Sequence, residues 1–261
     1  MRPLDSTSPP RRRERPSRAA TTSLAATPRI SLGEVVAEQL REAILNDELT
    51  PGQHLHEEEI SDMLQVSRGP VRDAFILLER EGLVRLSRHR GASVVDLSAT
   101  DLGEVYSLRS AIEELAVRLA IRRHNESDLE ALDGSLKDLR IGLRRRLSAQ
   151  EAARLDVEFH DAVFRAAHHD RLYASWSAIR MQVYLFLRRR HIANADWRLS
   201  TVKGHSDIVD LIKAGDGDAA ATAIRSHISA AYARVNGTLL DGASSETSAD
   251  DTRVIAEAYL L

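Results

Sequence analysis

Val66-Ser67-Arg68-Gly69-Pro70-Val71-Arg72-Asp73-Ala74-Phe75-Ile76-Leu77-Leu78 decides how the first third of the chain reads. Ser67 suits a helix N-cap. Pro70 is tolerated in the first turn, where its missing N–H removes no intrahelical bond. Val71, Phe75 and Leu78 share one face of a helix that runs to about Glu81 and stops at Gly82. Upstream, Leu32, Val36, Leu40 and Ile44 recur every four residues and predict a first amphipathic helix. Thr50-Pro51-Gly52 breaks the chain into a turn. A short second helix follows at about Glu57 to Leu64, with Ile60 and Leu64 inward, and Gln65-Val66 connects it tightly to the third. Downstream, Leu83-Val84-Arg85-Leu86 and Ala92-Ser93-Val94-Val95 read as two strands around Arg88-His89-Arg90-Gly91, a hairpin whose glycine supplies the turn. Helix, helix, tight turn, helix and hairpin is the order of a winged helix-turn-helix, whose third helix enters the major groove of DNA.

Charge placement agrees with that reading. The chain of 261 residues has a formal net charge of -3, so a DNA-binding surface has to concentrate its cations. Arg68 and Arg72 lie one turn apart, opposite the apolar face, at a helix N-terminus whose free N–H groups and dipole attract phosphate. The hairpin tip, Arg88-His89-Arg90-Gly91, is a second cationic point, and its glycine allows close backbone approach. Glu34, Glu38 and Asp47 are expected mostly on the far side.

Beyond Leu97 the pattern is helical throughout. Val105, Leu108, Ile112, Leu115 and Leu119 step by three and four, as do Leu129, Leu132, Leu136, Leu139 and Leu143, then Leu155, Phe159, Val163 and Ala166, then Leu172, Trp176, Ile179, Val183 and Phe186. Two further helices are expected at about Arg198 to Ala214 and Asp218 to Leu240. The fold class is therefore mainly α: an N-terminal winged helix-turn-helix, then an all-α antiparallel bundle of about six helices with short links. The bounds are 30–97 for the DNA-binding unit and 98–240 for the bundle. Residues 1–29, rich in Pro, Ser, Thr and Arg, read as a disordered basic tail, and 241–261 as a loose C-terminal tail.

Ionisable residues interrupt the apolar stripes of the bundle. Asp156 and His160, four apart, share a helix face beside Leu155, Phe159 and Val163. His205 lies within the stripe of Val202, Val209 and Ile212, and His227 within that of Ile224, Ile228 and Ala231. A polar group pointed inward costs free energy unless it is satisfied, and a hydrogen-bonded core histidine is the common outcome. One carboxylate and three imidazoles from separate inward faces also make a divalent-metal site, with zinc the first expectation and nickel or manganese the others. The chain has no cysteine, which excludes disulfides and thiolate metal sites. With no signal-peptide core and no run of roughly 18 apolar residues, a cytoplasmic location and no membrane partner are expected.

On these residues the chain resembles the GntR family of bacterial regulators. Leu55-His56-Glu57-Glu58-Glu59-Ile60 with Val66 through Ala74 is close to that family's DNA-binding signature, and Glu79-Arg80-Glu81-Gly82-Leu83-Val84 with Arg90-Gly91-Ala92 matches its helix exit and wing. The resemblance implies that Ser67, Arg68, Gly69, Arg72 and the wing tip touch an operator. Glu58 departs from the pattern, standing where many relatives carry a DNA-contacting Arg. The bundle resembles the FCD type of ligand-binding domain of the FadR-like branch, through Leu108-Arg109, Glu113, Asp156 to His160, Gly204-His205, Ala214-Gly215-Asp216 and His227-Ile228. That likeness implies that Asp156, His160, His205 and His227 hold the metal, that Arg109 faces a small effector, and that the protein is a homodimer. His169 departs from it, replacing a frequent Asn. The expected mechanism is a small carboxylate that completes the metal's coordination, pairs with Arg109 and changes operator affinity. Two other readings stay open: a purely structural metal, and a metal-dependent hydrolase using the same residues.

Overall fold

The computed structural model describes residues 30–87, 91–145, 147–193 and 197–242. Both expected tails, apart from residues 241 and 242, and the wing-tip residues Arg88, His89 and Arg90 lie outside the described residues. Helix α1 (Leu32–Leu45) opens with a capping box in which the Ser31 hydroxyl accepts from the Glu34 N–H and the Glu34 carboxylate accepts from the Ser31 N–H. Val36, Leu40 and Ile44 are buried as expected, whereas Leu32 is half exposed. Gly33 takes the inward place instead, because a Cβ there would stand 2.8 Å from the Asp73 Cβ.

Helices α2 (Glu57–Leu64) and α3 (Arg68–Arg80) are joined through Gln65, which adopts the left-handed conformation at φ 54°. Ile60, Val71, Ala74, Phe75 and Leu78 are buried against α1. Ser67 does occupy the N-cap of α3, but its hydroxyl makes no capping hydrogen bond. A strand that the sequence pattern does not announce, β1 (His54–Leu55), pairs antiparallel with β3 (Gly91–Val94), which pairs with β2 (Val84–Ser87). The sheet order is β1-β3-β2. Two residues carry no readable period, so β1 was invisible to pattern analysis.

This strand changes the meaning of Gly91. Gly91 was expected to serve the hairpin turn and approach to DNA, but it sits in β3 opposite Ser87 at φ +89°. A Cβ there would fall 2.1 Å from the Leu55 carbonyl oxygen. Only glycine permits this backbone contact.

The second part is a bundle of α4 (Ala99–Arg123), α5 (Glu126–Arg144), α6 (Ala149–Ala166), α7 (Asp170–Ala193), α8 (Trp197–Ala214) and α9 (Gly217–Gly242). Capping boxes at Ser98–Asp101, Asn125–Asp128 and Ser148–Glu151 start three of them. Helix α4 is central, packing on α6, α7, α8 and α9. Its expected stripe holds in part: Val105 is buried and Ile112 and Leu119 pack against the core, but Leu108 and Leu115 are each 45% exposed. The buried residues of α4 are Leu102, Gly103, Val105, Tyr106, Arg109, Glu113, Ala116, Val117 and Ala120. Among the described residues no helix is long and apolar enough to cross a membrane.

Two apolar cores result, one in each part, and Leu45 and Leu185 pack against both. Helix α7 makes polar contacts across the junction. Gln182 donates to the Gly82 carbonyl at 3.1 Å, Arg189 to Leu97 at 3.3 Å, and the buried Arg188 to Leu45 at the end of α1 while pairing with Asp47.

Gly91→Ala is expected to cost about 1–3 kcal/mol, the range for overpacking, because the wall it meets is backbone rather than a flexible side chain. A lowered urea midpoint would show it; an unchanged midpoint would contradict the close approach of β1 and β3.

Candidate DNA-reading face and candidate metal centre

Residues at the start of α3 project as their spacing requires. Arg68 and Arg72 are 54% and 62% exposed, on the side away from the buried Val71, Phe75 and Leu78. Ser67 and Gly69 are exposed beside them. Neither guanidinium is idle. Arg68 donates to Glu58 at 2.7 Å and Arg72 to Glu57 at 2.7 Å, both acids from the first turn of α2. The expected separation of charges is therefore incomplete: Glu34 caps α1, Glu38 pairs with Arg41 and Asp47 with Arg188, but two acids stand against the arginines themselves. Exposed pairs of this kind are worth about 0.2–1 kcal/mol, so a phosphate can compete for either guanidinium.

The second cluster is at the heart of the bundle. Helix α4 brings Arg109 and Glu113, α6 brings Asp156 and His160, α8 brings His205 and α9 brings His227. Nitrogen atoms of His160, His205 and His227 lie within 4.8 Å of one another. Asp156 stands against two of these rings, with Oδ1 3.6 Å from His160 Nε2 and Oδ2 3.8 Å from His205 Nε2. The four residues expected to share a site thus converge, as does Arg109. Arg109, Glu113, His160 and His205 have no solvent exposure, and Asp156 is 2% exposed. Only His227 is partly open among these six, along a cleft of about 350 Å³ between α8 and α9 that Lys203, Gly204, Asp207 and Arg234 help to line. Gly204 is required by the packing, because a Cβ would stand 2.7 Å from His227 Nδ1. A larger cleft of about 840 Å³ beside α5, α6 and α7 contains none of the expected site residues.

Burial sets most of the electrostatics. It pushes the His205 ring down to about 3 and the His227 ring well below the usual histidine range, leaving neutral imidazoles with free lone pairs. Burial works against the Asp156 carboxylate, but the His160 and His205 rings and Arg109 hold it well below the ordinary range. Burial also opposes charge on Glu113, and His160 and Arg109 outweigh it. At His160 burial is outweighed by the Glu113 carboxylate, which raises the ring. The geometry nonetheless fits the neutral ring: Arg109 Nη2 lies 2.6 Å from His160 Nε2, and a guanidinium can only donate, so Nε2 accepts.

Glu113 had no role in the sequence reading, where it was only a residue of resemblance. In the structure Arg109 Nε donates to its Oε1 at 2.6 Å and His160 Nδ1 lies 2.5 Å from its Oε2. The available signal was the opposite-charge pair four residues apart in a helical run. His169, the other departure, accepts the Leu172 N–H at 3.2 Å and so caps α7.

Three imidazoles and a carboxylate suit a borderline divalent ion. Asp156 Oδ1, Arg109 Nη1 and His205 Nδ1 are buried without a hydrogen-bond partner, which marks the cluster as incomplete on its own. The donor set fits a metal, provided that Arg109 Nη2 yields the His160 lone pair it now takes.

Comparison with known proteins follows the same division. Residues 32–94 match the family described as bacterial regulatory proteins, gntR family, and residues 104–230 match the FCD domain. The chain is 34% identical over 203 residues to a probable D-xylose utilization operon transcriptional repressor of Paenarthrobacter nicotinovorans, covering 75% of this chain and 86% of that one. It is 32% identical over 134 residues to the uncharacterized HTH-type regulator YdhC of Bacillus subtilis, covering 51% of this chain but only 60% of YdhC. The Escherichia coli repressor RspR is 29% identical over 191 residues, 72% of this chain and 82% of its own. Among solved structures, Escherichia coli McbR/YncC superposes with a TM-score of 0.65 at 19% identity, over 80% of this chain and 99% of that one. A GntR regulator from Rhodococcus sp. RHA1 also gives 0.65, at 24% identity and with the same coverage. At these identities the two structures speak for the fold.

The buried pair makes one expectation independent of function. Arg109→Met leaves Glu113 with a single partner and is expected to cost about 3–5 kcal/mol in urea unfolding. Arg109→Met combined with Glu113→Leu should recover most of that loss. Equal destabilisation by both variants would show that the pair is not coupled.

Proposed function

The chain belongs to the GntR family of bacterial transcriptional regulators, with an FCD ligand-binding domain after its DNA-binding unit, and we propose that a small carboxylate held beside a metal in that domain sets its operator affinity. The observation that carries this reading is the convergence of Asp156, His160, His205 and His227 beside a buried guanidinium whose Nη1 has no partner.

In this reading Ser67, Arg68, Gly69 and Arg72, with the wing residues Arg88, His89 and Arg90, contact double-stranded operator DNA, while Gly91 serves the packing of β3 on β1. Phosphate contacts supply salt-dependent affinity, and one arginine bidentate to guanine supplies about 1–3 kcal/mol of base discrimination. The DNA-binding unit is residues 30–97 and the effector unit 98–240, with tails at 1–29 and 241–261. The protein works in the cytoplasm as a homodimer, since a pair of recognition helices matches a two-fold operator. The family match and the relatives are regulators rather than enzymes, which leaves a hydrolase reading without support.

Asp156, His160, His205 and His227 would hold zinc, or else nickel or manganese, and a bound ion would give a carboxylate oxygen a Lewis-acid partner. Formal charge supports the ligand class. Asp156 and Glu113 bring two negative charges and Arg109 one positive, so with neutral imidazoles the cluster is one unit negative. With a divalent ion it is one unit positive, and a single carboxylate group balances it. An unbalanced buried charge is expensive. Arg109 would receive that carboxylate through its guanidinium fork.

Helix α7 supports coupling to DNA. The Arg109 guanidinium lies 5.9 Å from the Trp176 ring, and the same helix bonds to Gly82 and Leu45 through Gln182 and Arg188. Helix α4 carries Arg109 and begins two residues after Leu97. Changes transmitted this way typically amount to 1–3 kcal/mol, about 5–150-fold in affinity.

Two experiments test the two halves. In gel retardation with its own promoter fragment, Arg72→Ala should abolish binding while the urea midpoint stays put. Glu58→Gln should bind random duplex several-fold more tightly because it frees Arg68. Retardation by Arg72→Ala equal to wild type would overturn the DNA face. For the other half, His205→Ala with His227→Ala should lose bound metal in elemental analysis after zinc loading and gel filtration, and full occupancy in that variant would overturn the metal assignment.

A further inference from the structure

We propose that Glu113 is a positioning residue of the effector site: its two carboxylate oxygens fix, respectively, which nitrogen His160 offers to a metal and where Arg109 points. The proposal rests on the metal reading above and adds a residue that faces neither the metal nor the effector.

The geometry divides the work of one carboxylate. Oε2 lies 2.5 Å from His160 Nδ1 and Oε1 lies 2.6 Å from Arg109 Nε. A carboxylate can only accept, so the proton of the neutral His160 ring sits on Nδ1 and the lone pair on Nε2. Nε2 is the nitrogen that faces Asp156 and His205, at 3.6 Å and 3.5 Å. The opposite tautomer would set a lone pair against a carboxylate and turn an N–H towards the other donors. A carboxylate behind a ligating imidazole fixes its tautomer and orientation and raises its basicity.

The second oxygen acts on Arg109 in the same way. It holds Nε and leaves the two terminal nitrogens to other partners. One of these, Nη2, reaches His160 Nε2 at 2.6 Å, and the other, Nη1, has no partner. Any occupant of the Nε2 lone pair displaces Nη2 and frees the whole fork, while Nε stays anchored. Loading of the histidines and readiness of the arginine are thereby linked through one side chain. An ion pair that served packing alone would need neither this division of its oxygens nor an open Nη1.

Glu113→Gln tests the claim, because an amide has one accepting oxygen where the carboxylate has two. Zinc is titrated calorimetrically into chelator-stripped, full-length wild type and variant. The expected result is a 10–100-fold weaker association in Glu113→Gln, the usual effect of losing such a carboxylate, while Glu158→Gln, an exposed acid two residues from His160, binds as wild type. Equal affinity in Glu113→Gln and wild type overturns the proposal and leaves the metal reading standing; no zinc binding by wild type overturns both. Nitrogen-15 spectra of the wild-type histidine rings give an answer that does not require the variant to fold. The His160 signals, assigned by their loss in His160→Gln, should show a proton on Nδ1 in the zinc-loaded protein. A proton on Nε2 there overturns the proposal.

Discussion

A guanidinium with no solvent contact has to be matched by carboxylates, and in this bundle that requirement reaches three helices. Arg109 is answered by Glu113 on its own helix and by Asp156 on α6, and these acids in turn face histidines from α6 and α8. The desolvation cost of such groups exceeds their mutual attraction unless every partner is well placed. A bundle built for stability alone would fill the space with leucine. Helix α4 instead turns Arg109 and Glu113 inward and leaves Leu108 and Leu115 half exposed. The packing of α4 on its neighbours therefore serves the charged cluster as much as the apolar core.

That inversion explains which parts of the architecture were legible. Helix order, the winged helix-turn-helix and the six-helix bundle follow from apolar period, caps and turn residues, all of which act locally. The four putting their donors together, Asp156, His160, His205 and His227, were legible because each breaks an apolar stripe. Glu113 was not, because an acid four residues from an arginine on a helix is ordinarily half of a solvent-exposed pair. Apolar period assumes that the buried side carries no charge, and α4 sets Arg109 and Glu113 among buried Val105, Tyr106, Ala116 and Val117. Strand β1 was missed for a different reason: its two residues are placed by pairing with β3, a contact 39 positions away for His54 and Ser93.

At the DNA-reading end, position was legible and electrostatic state was not. Spacing alone put Arg68 and Arg72 on the outer face of α3. Their engagement by Glu58 and Glu57 depends on how α2 crosses α3, which no local rule gives. The consequence is a surface whose arginines each pair with an acid from α2, a pairing weak enough to be exchanged for another anion.

The contact between Gly91 and Leu55 limits what any signal from the bundle can do. It fastens the base of the wing to the residue just ahead of His56, the N-cap of α2, and α3 follows across a one-turn link. Strand β3 and the start of α2 are consequently held together through backbone packing. A displacement of the start of α2 would have to carry β3 with it or break that contact.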